Sequence, residues 1–558
     1  MSYKKCFTRR IKDNTYLVHL WTDEGYERIE WVNTAYVECG KSEATHRGLN
    51  GEYLKKVKKF NPNNPKLHFH DMTPYQKFLV EKYGIDDEPS KTHRELFFDI
   101  EIEMGEALTE EYIKSAPKKV TSIAWYDKQV DEWGILILDA KNKIKKTKTD
   151  NKEITPCLTE QELLTKFIEK FREIDPDIIV GYNSDYFDVP YLYYRICNIL
   201  GEDFASYLSP IGYVRETPWF PNQYIQIVGV ESLDYMRMHK KYSWADEPSW
   251  KLDSIGEKYV GLGKIEYEGS LDRLFEEDID KFIQYNFRDV EILKELDEKL
   301  EYLALTKNLS HKGKHNYSEV YANTKTQDGA ISAYLLSQNI IPPAKDRNPL
   351  SKKNYAGGYL FCPKAGVYKY MFDEDLTSLY PSIIMTINIG KETMVGRIID
   401  ADDRNNRLGL NNLKQKDPEE MLLIENINRK QTRLKVSELI SFIEENNWSI
   451  SANGVFFRTD KESALSTILK KWFDERVHYK KEMKKAFQSG DKGLGASFHM
   501  KQYTMKILLN SLYGALAVPS FRYGNVLLAE ATTLSGQRII QESALAANRH
   551  MNKIIKNN

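Results

Sequence analysis

The alternation of apolar and polar residues changes character along this chain. Up to about residue 95, short runs such as TYLVHLW and RIEWVNTAYVEC are separated by polar turns and predict strands, and the charged stretch IDDEPSKTHRE closes the segment. From 96 to about 303 the pattern predicts strands alternating with amphipathic helices. ELFFDIEIE, TSIAWYD and WGILILDA form a strand meander, and TEQELLTKFIEKFREI carries apolar residues at helical spacing ahead of the strand DIIVGYN. A mostly helical link to about 347 leads to the glycine pair of YAGGYL and a second α/β region. Between 461 and 516, two long helical patterns flank QSGDKGLGAS, whose glycines and polar residues predict an antiparallel helical hairpin. No internal repeat or low-complexity segment interrupts the chain.

With 558 residues the chain exceeds what one core accommodates, so several domains are expected. Hydrophobic residues make up 41% and charged residues 29%, ordinary values for a globular protein. No apolar stretch approaches the roughly 20 residues that a membrane-spanning helix needs. The start, MSYKKCFTRRIKDN, lacks the apolar core of a secretory signal, and Cys6, Cys39, Cys157, Cys197 and Cys362 form neither a C-x-x-C pair nor an even framework. Structural thiols in a reducing cytoplasm are expected. The net charge of −1 hides an asymmetry: residues 461–558 hold 16 basic against 7 acidic residues, a net of +9, which leaves −10 on the first 460. A basic end on an acidic body suits a protein that holds a phosphate backbone in one place and metal ions in another.

The carboxylates give that charge a chemistry. In ELFFDIEIE the strand period sets Asp99 and Glu101 on one face among apolar residues, where two buried anions call for a cation. Asp188 follows a strand end in GYNSDYFDVPYL, and Tyr285 and Asp289 lie four apart on a predicted helix face in QYNFRDVEIL. Cleaving a phosphodiester with two divalent cations requires several hard oxygen ligands and a group that orients the attacking water. The four carboxylates supply the first and Tyr285 the second. In order and spacing, FDIE, NSDYFD and YNFRD resemble the three exonuclease motifs of DEDDy proofreading domains.

Two further stretches carry a second resemblance. DLTSLYPSII, residues 375–384, resembles motif A of family B DNA polymerases, and KILLNSLYGAL, residues 506–516, resembles motif B. Lys506, Asn510 and Tyr513 share one face of a helix, and Arg476 and Lys480 lie four apart on the preceding one, matching the R-x-x-x-K pattern of the phage branch. The resemblance implies that Asp375 binds both catalytic metals, that the backbone at Ser378 and Leu379 holds the triphosphate, and that Tyr380 lies under the sugar and excludes a 2′-hydroxyl. It further implies that Arg476, Lys480, Lys506 and Asn510 face the phosphates, and that Tyr513 stacks near the nascent base pair. LDYMRMHKKYSW and FRYGNVLLAEATTLSGQ extend the likeness to replicative polymerases of tailed bacteriophages over nearly the whole chain.

The expected fold is therefore α/β and multidomain: a ribonuclease H-like DEDDy exonuclease with part of a right-hand polymerase. The expected bounds are an N-terminal domain at 1–95, exonuclease at 96–303, a helical link at 304–347, a first palm part at 348–460, fingers at 461–516 and a palm continuation at 517–558. The segment 212–228, with PWFPNQ at its tip, is expected to form a strand-separating hairpin. Mg²⁺ or Mn²⁺, two per site, primer–template DNA and dNTPs are the implied cofactors and partners.

The family's motif C, a Y-G-D-T-D-S hairpin with the second metal-binding aspartate, has no counterpart, because no aspartate follows Asp491. Asp373, two residues before Asp375, is a poor substitute on the same strand. The favoured expectation is a split polymerase whose second chain brings motif C, a thumb and access to a sliding clamp. An incomplete gene product, a stand-alone exonuclease relic, a non-catalytic primer–template binding subunit and an RNA-processing nuclease are the competing readings.

Overall fold

The computed structural model describes every residue except 1, 106–107, 219–222, 244, 348–356, 362–363, 369–370, 372–374, 400–409 and 558, and gives only the backbone of 218, 223–224 and 555–557. The predicted strand KYMFDED, Asp373, Cys362 and the tip of PWFPNQ therefore fall wholly or partly outside the described residues. The chain forms two compact units. One comprises Met1–Trp31, Asp87–His311 and His315–Tyr321, the other Val32–Asp86, Lys312–Lys314 and Ala322–Asn558. Residues 1–95, expected as one N-terminal domain, are thus divided between the two.

The first unit is built on a seven-stranded sheet in the order Thr147–Lys148, Lys152–Cys157, Glu132–Leu138, Val120–Asp127, Glu95–Ile102, Ile178–Gly181, Glu231–Asp234. The Glu95, Val120 and Glu132 strands are antiparallel neighbours, whereas the Glu95, Ile178 and Glu231 strands run parallel. Burial explains the mixture. Leu96, Phe97, Phe98 and Ile100 are all buried, so the central strand is covered on both faces. Helix Glu160–Ile174 packs against strands Val120–Asp127 and Glu132–Leu138. It starts at a Thr159 cap that accepts from the Glu162 amide, and it buries Leu163, Leu164, Phe167, Ile168, Phe171 and Ile174. Each such side chain contributes about 1.5–3 kcal/mol on leaving water. Helix Ile279–Leu300 packs on strands Glu95–Ile102 and Val120–Asp127. A three-stranded ribbon, Tyr3–Lys12, Thr15–Thr22 and Gly25–Val32, begins the chain, and Val214–Pro218 pairs with Gln223–Ile227 as the expected hairpin.

The second unit contains two five-stranded sheets. One assembles strands from residues 35–68 with Ile340–Ile341; the other covers Met394–Phe457 around a core of Ile398, Leu422, Val436, Leu439, Ile443 and Phe456. Arg522, fully buried, gathers three segments: it donates to Asp71 at 2.5 Å, Asp328 at 2.7 Å and the Pro343 carbonyl at 2.5 Å. Helices Ala464–Gln488 and Lys492–Leu516, 25 residues each, form the predicted hairpin, and at 1.5 Å per residue each runs about 37 Å. The break is shorter than QSGDKGLGAS suggested. Only Ser489–Asp491 leave the helices, with Gly490 at φ 83°, while Gly493 and Gly495 are helical. At Gly495 a β-carbon would stand 2.6 Å from the Phe487 ring, so this glycine serves close helix approach, not a turn. Helix Val526–Asn557 follows. Cys6 and Cys157 are buried, Cys39 and Cys197 partly so, and none of these four forms a disulfide among the described residues. None of the described helices is long and apolar enough to cross a membrane.

Candidate functional site

Three elements of the first unit bring the candidate carboxylates and Tyr285 together. On the Glu95–Ile102 strand, Phe98 and Ile100 join the core while Asp99 and Glu101 share the opposite face. On the helix lying over that strand, Tyr285 and Asp289 are one turn apart. Carboxylate oxygens of Asp99, Glu101 and Asp289 come within 4.8 Å of one another. Asp188 opens helix Asp188–Leu200, is buried, and accepts from the Ile100 amide at 3.3 Å; it stands beside this trio without joining it.

Such crowding of anions is unfavourable without compensation. Burial, then repulsion from Asp289, Asp188 and Glu101, hold Asp99 well above the usual carboxylate range. Burial and Asp289 push Glu101 up to about 8, and burial pushes Asp188 up to about 7 against the Ile100 hydrogen bond. Asp289 is raised by burial although Lys264 opposes the shift. One oxygen of Asp289 is buried with no hydrogen-bond partner among the described residues. A bare, hard oxygen within a carboxylate trio is the donor set of a small divalent cation, and Mg²⁺ or Mn²⁺ fits it.

The surrounding side chains were not anticipated. Lys264 donates to Asp289 and, at 3.1 Å, to the Tyr285 hydroxyl. Burial disfavours its charge, but Asp289, Tyr285 and Asp99 outweigh that and raise its pKa. Asn286, fully buried, donates to Asp99 at 2.7 Å and accepts from Ser122 at 2.8 Å. Tyr267 meets Tyr285 edge-on at 5.4 Å. Asn286 could have been found beside Tyr285 in YNFRD. Lys264 sits in a loop where no periodicity marks it.

In the second unit, the residues of DLTSLYPSII enclose a sharp turn. Asp375 is exposed, Ser378 adopts φ 52°, and Leu379 begins helix Leu379–Ile387. The left-handed conformation at a non-glycine residue is uncommon and marks a constrained turn at the helix start. The Tyr380 ring lies 4.3 Å from that of Tyr513, whose hydroxyl is 3.3 Å from Thr533. Arg476 and Lys480 extend from one helix of the hairpin, and Lys506, Asn510 and Tyr513 from the other. Repulsion from Arg476, then burial, Lys484 and Lys506 lower the pKa of Lys480. Burial lowers that of Arg476, whose Nε has no partner among the described residues. These mutually repelling cations concentrate positive charge on the facing helices. Among the described residues Asp375 belongs to no carboxylate trio of the kind Asp99 forms.

The family model for DNA polymerase family B matches residues 321–558, and that for the DNA polymerase family B exonuclease domain matches residues 76–255. The DNA-directed DNA polymerase of Escherichia phage RB69 is 28% identical over 482 residues, covering 76% of this chain and 50% of the relative. That of Enterobacteria phage T4 is 28% identical over 461 residues, covering 72% and 47%. The DNA polymerase of Pyrococcus glycovorans is 24% identical over 489 residues, covering 85% and 53%. The chain spans about half the length of these curated relatives. With an exonuclease-domain match that spans Asp99, Glu101 and Asp188 and a polymerase match that spans the turn at Ser378 and the cationic hairpin, the chain belongs to DNA polymerase family B, and its relatives include phage polymerases.

Proposed function

We propose that the first unit is a ribonuclease H-like DEDDy exonuclease that removes nucleotides from the 3′ end of single-stranded DNA, serving as the proofreader of a phage-type polymerase. The meeting of Asp99, Glu101 and Asp289 from strand and helix, with Asp188 and Tyr285 alongside, carries this reading. Asp99, Glu101, Asp188 and Asp289 would hold Mg²⁺ or Mn²⁺, two per site. When bound, such ions supply an acidified water and charge stabilisation at the phosphate. Tyr285 is kept protonated by burial and by Asp289, which raise its pKa, so its hydroxyl is available to orient water by hydrogen bond. Lys264 fixes that hydroxyl, and Asn286 fixes Asp99. Replacing Asp99 and Glu101 together by Ala is expected to abolish metal-dependent shortening of single-stranded DNA. Unchanged shortening would overturn the assignment.

The second unit is proposed to be the nucleotide side of DNA-directed synthesis. In it Asp375 is a metal ligand, the backbone at Ser378 and Leu379 meets the triphosphate, and Tyr380 excludes ribose. Arg476, Lys480, Lys506 and Asn510 receive the phosphates, and Tyr513 lies under the nascent pair. In this reading 348–460 and 517–558 are palm, 461–516 fingers, 96–303 exonuclease, and 304–347 the link back toward 1–95. No Y-G-D-T-D-S hairpin sequence occurs among these 558 residues, and no aspartate follows Asp491. Synthesis on primer–template DNA, in the cytoplasm of a host cell, is therefore proposed for this chain together with a segment or second chain that brings motif C, a thumb and clamp contacts. The test is dNTP incorporation by this chain with and without such a segment. Robust synthesis by the 558 residues alone would contradict the proposal.

A further inference from the structure

Asp188 does not reach the trio of Asp99, Glu101 and Asp289, so its position is a separate matter from theirs. Residues 182–187, the turn between strand Ile178–Gly181 and helix Asp188–Leu200, set that position. The turn doubles back tightly. Asn183 adopts φ 61°, its carbonyl accepts from the Tyr186 and Phe187 amides at 3.1 Å each, and the Ser184 carbonyl accepts from the Val189 amide at 3.0 Å. A β-carbon at Gly181 would lie 2.5 Å from the Ser184 side chain.

Two carboxylates pin this turn to the neighbouring strand. Asp234, in register with Gly181 on the parallel strand, accepts from the Asn183 amide at 3.0 Å. The same oxygen caps helix Tyr235–Tyr242 through the Met236 and Arg237 amides at 3.0 and 3.3 Å. Asp185, within the turn, accepts from the Ser232 hydroxyl at 2.8 Å and from Arg237 at 2.6 Å. Asp234 is 1% exposed, and its second oxygen has no hydrogen-bond partner among the described residues. Capping alone does not require this residue, since a serine hydroxyl caps a helix as well. The additional task that Asp234 performs is to hold Asn183.

We infer that Asp234 is a positioning residue: by holding the Asn183 amide it fixes, together with the Asp185–Arg237 pair, the turn that presents Asp188 to the catalytic carboxylates. The inference rests on the exonuclease reading above. Partners that orient metal-ligating carboxylates commonly influence metal affinity or activity by about 10- to 100-fold.

The test measures Mn²⁺ binding to the full chain by electron paramagnetic resonance, and the Mn²⁺ dependence of single-stranded DNA shortening, for the wild type, Asp188→Ala, Asp234→Ala, Asp234→Asn and Asp234→Ser. Asn keeps an acceptor at full reach. Ser keeps the cap but is one bond too short to hold Asn183 as well. Asp234→Ala and Asp234→Ser are expected to weaken Mn²⁺ binding as Asp188→Ala does, about 10- to 100-fold, with Asp234→Ser melting like the wild type and Asp234→Asn binding close to it. Wild-type binding in Asp234→Ser, or equal losses in Asp234→Asn and Asp234→Ala, would overturn the inference. A wild type that neither binds Mn²⁺ through Asp99 and Glu101 nor shortens DNA would remove the exonuclease reading itself. If Asp234→Ala does not fold, the Ser and Asn variants carry the comparison.

Discussion

Lys264 offers the sharpest quantitative test of the nuclease site, and Lys264→Met is the perturbation. Methionine keeps most of the stem volume but removes an ammonium that donates to Asp289 and, at 3.1 Å, to Tyr285. Asp289 is 2% exposed, so it is left as a buried carboxylate facing Asp99 and Glu101, with one oxygen already bare. Breaking a fully buried ion pair from one side costs about 3–5 kcal/mol. The Lys264 side chain is 33% exposed, which lets water screen the pair and brings the expected loss in the metal-free protein to about 2–3 kcal/mol. For a unit of this size that corresponds to roughly 5–10 °C in its melting temperature. The rate should fall as well, because Tyr285 loses the group that fixes its hydroxyl: a loss of about 2.7 kcal/mol in transition-state stabilisation is about 100-fold. The assays are thermal unfolding in EDTA and in excess Mg²⁺, alongside Mg²⁺-dependent shortening of a labelled oligonucleotide. Saturating Mg²⁺ is expected to restore much of the melting temperature, since divalent charge replaces the ammonium, without restoring the rate. A variant with wild-type melting in EDTA and a wild-type rate would refute the reasoning.

Other contacts yield equally direct expectations. Burial tends to raise the Glu95 pKa, but Lys307 and Lys128 overcome it and hold the group down to about 2. A depressed carboxylate contributes its stability above its unfolded pKa of about 4.5 and loses it as pH falls toward 2. Glu95→Gln should therefore remove up to about 3 kcal/mol of stability at neutral pH and flatten the acid limb between about pH 4.5 and 2, as read by urea unfolding against pH; an unchanged limb would exclude the ion pairs as its cause. Arg522→Ala strands Asp71 and Asp328 and should destabilise the second unit by about 3–5 kcal/mol in denaturant titration, with Arg522→Lys losing less. At Gly329 a β-carbon would stand 1.8 Å from the Gly313 carbonyl oxygen, so Gly329→Ala should cost about 1–3 kcal/mol or more; stability equal to wild type would mean the helix shifts freely there.

How much of this was legible before folding depends on the range of the interaction. Asp99 and Glu101 announce themselves through a strand period of two, and Tyr285 and Asp289 through a helical turn, so spacing alone predicted which ones share a face. The two long helices of the hairpin were equally plain, because helical patterns run through 25 residues in each. Gly493 and Gly495 misled for a local reason: glycine signals a break, yet here it accommodates the Phe487 ring inside a helix.

What the pattern of residues determined by itself, then, was the element types, the order of the carboxylate motifs and the basic helix faces, all set by neighbours a few positions apart. Only the tertiary structure decided that residues 1–95 divide between two units, that Lys264 and Asn286 join the carboxylate cluster, and that Asp234 holds the turn preceding Asp188. The cluster and the turn rest on hydrogen bonds and ion pairs between separate segments, such as Asn286 to Asp99 across 187 positions, where no periodicity connects the partners and burial fixes the pairing.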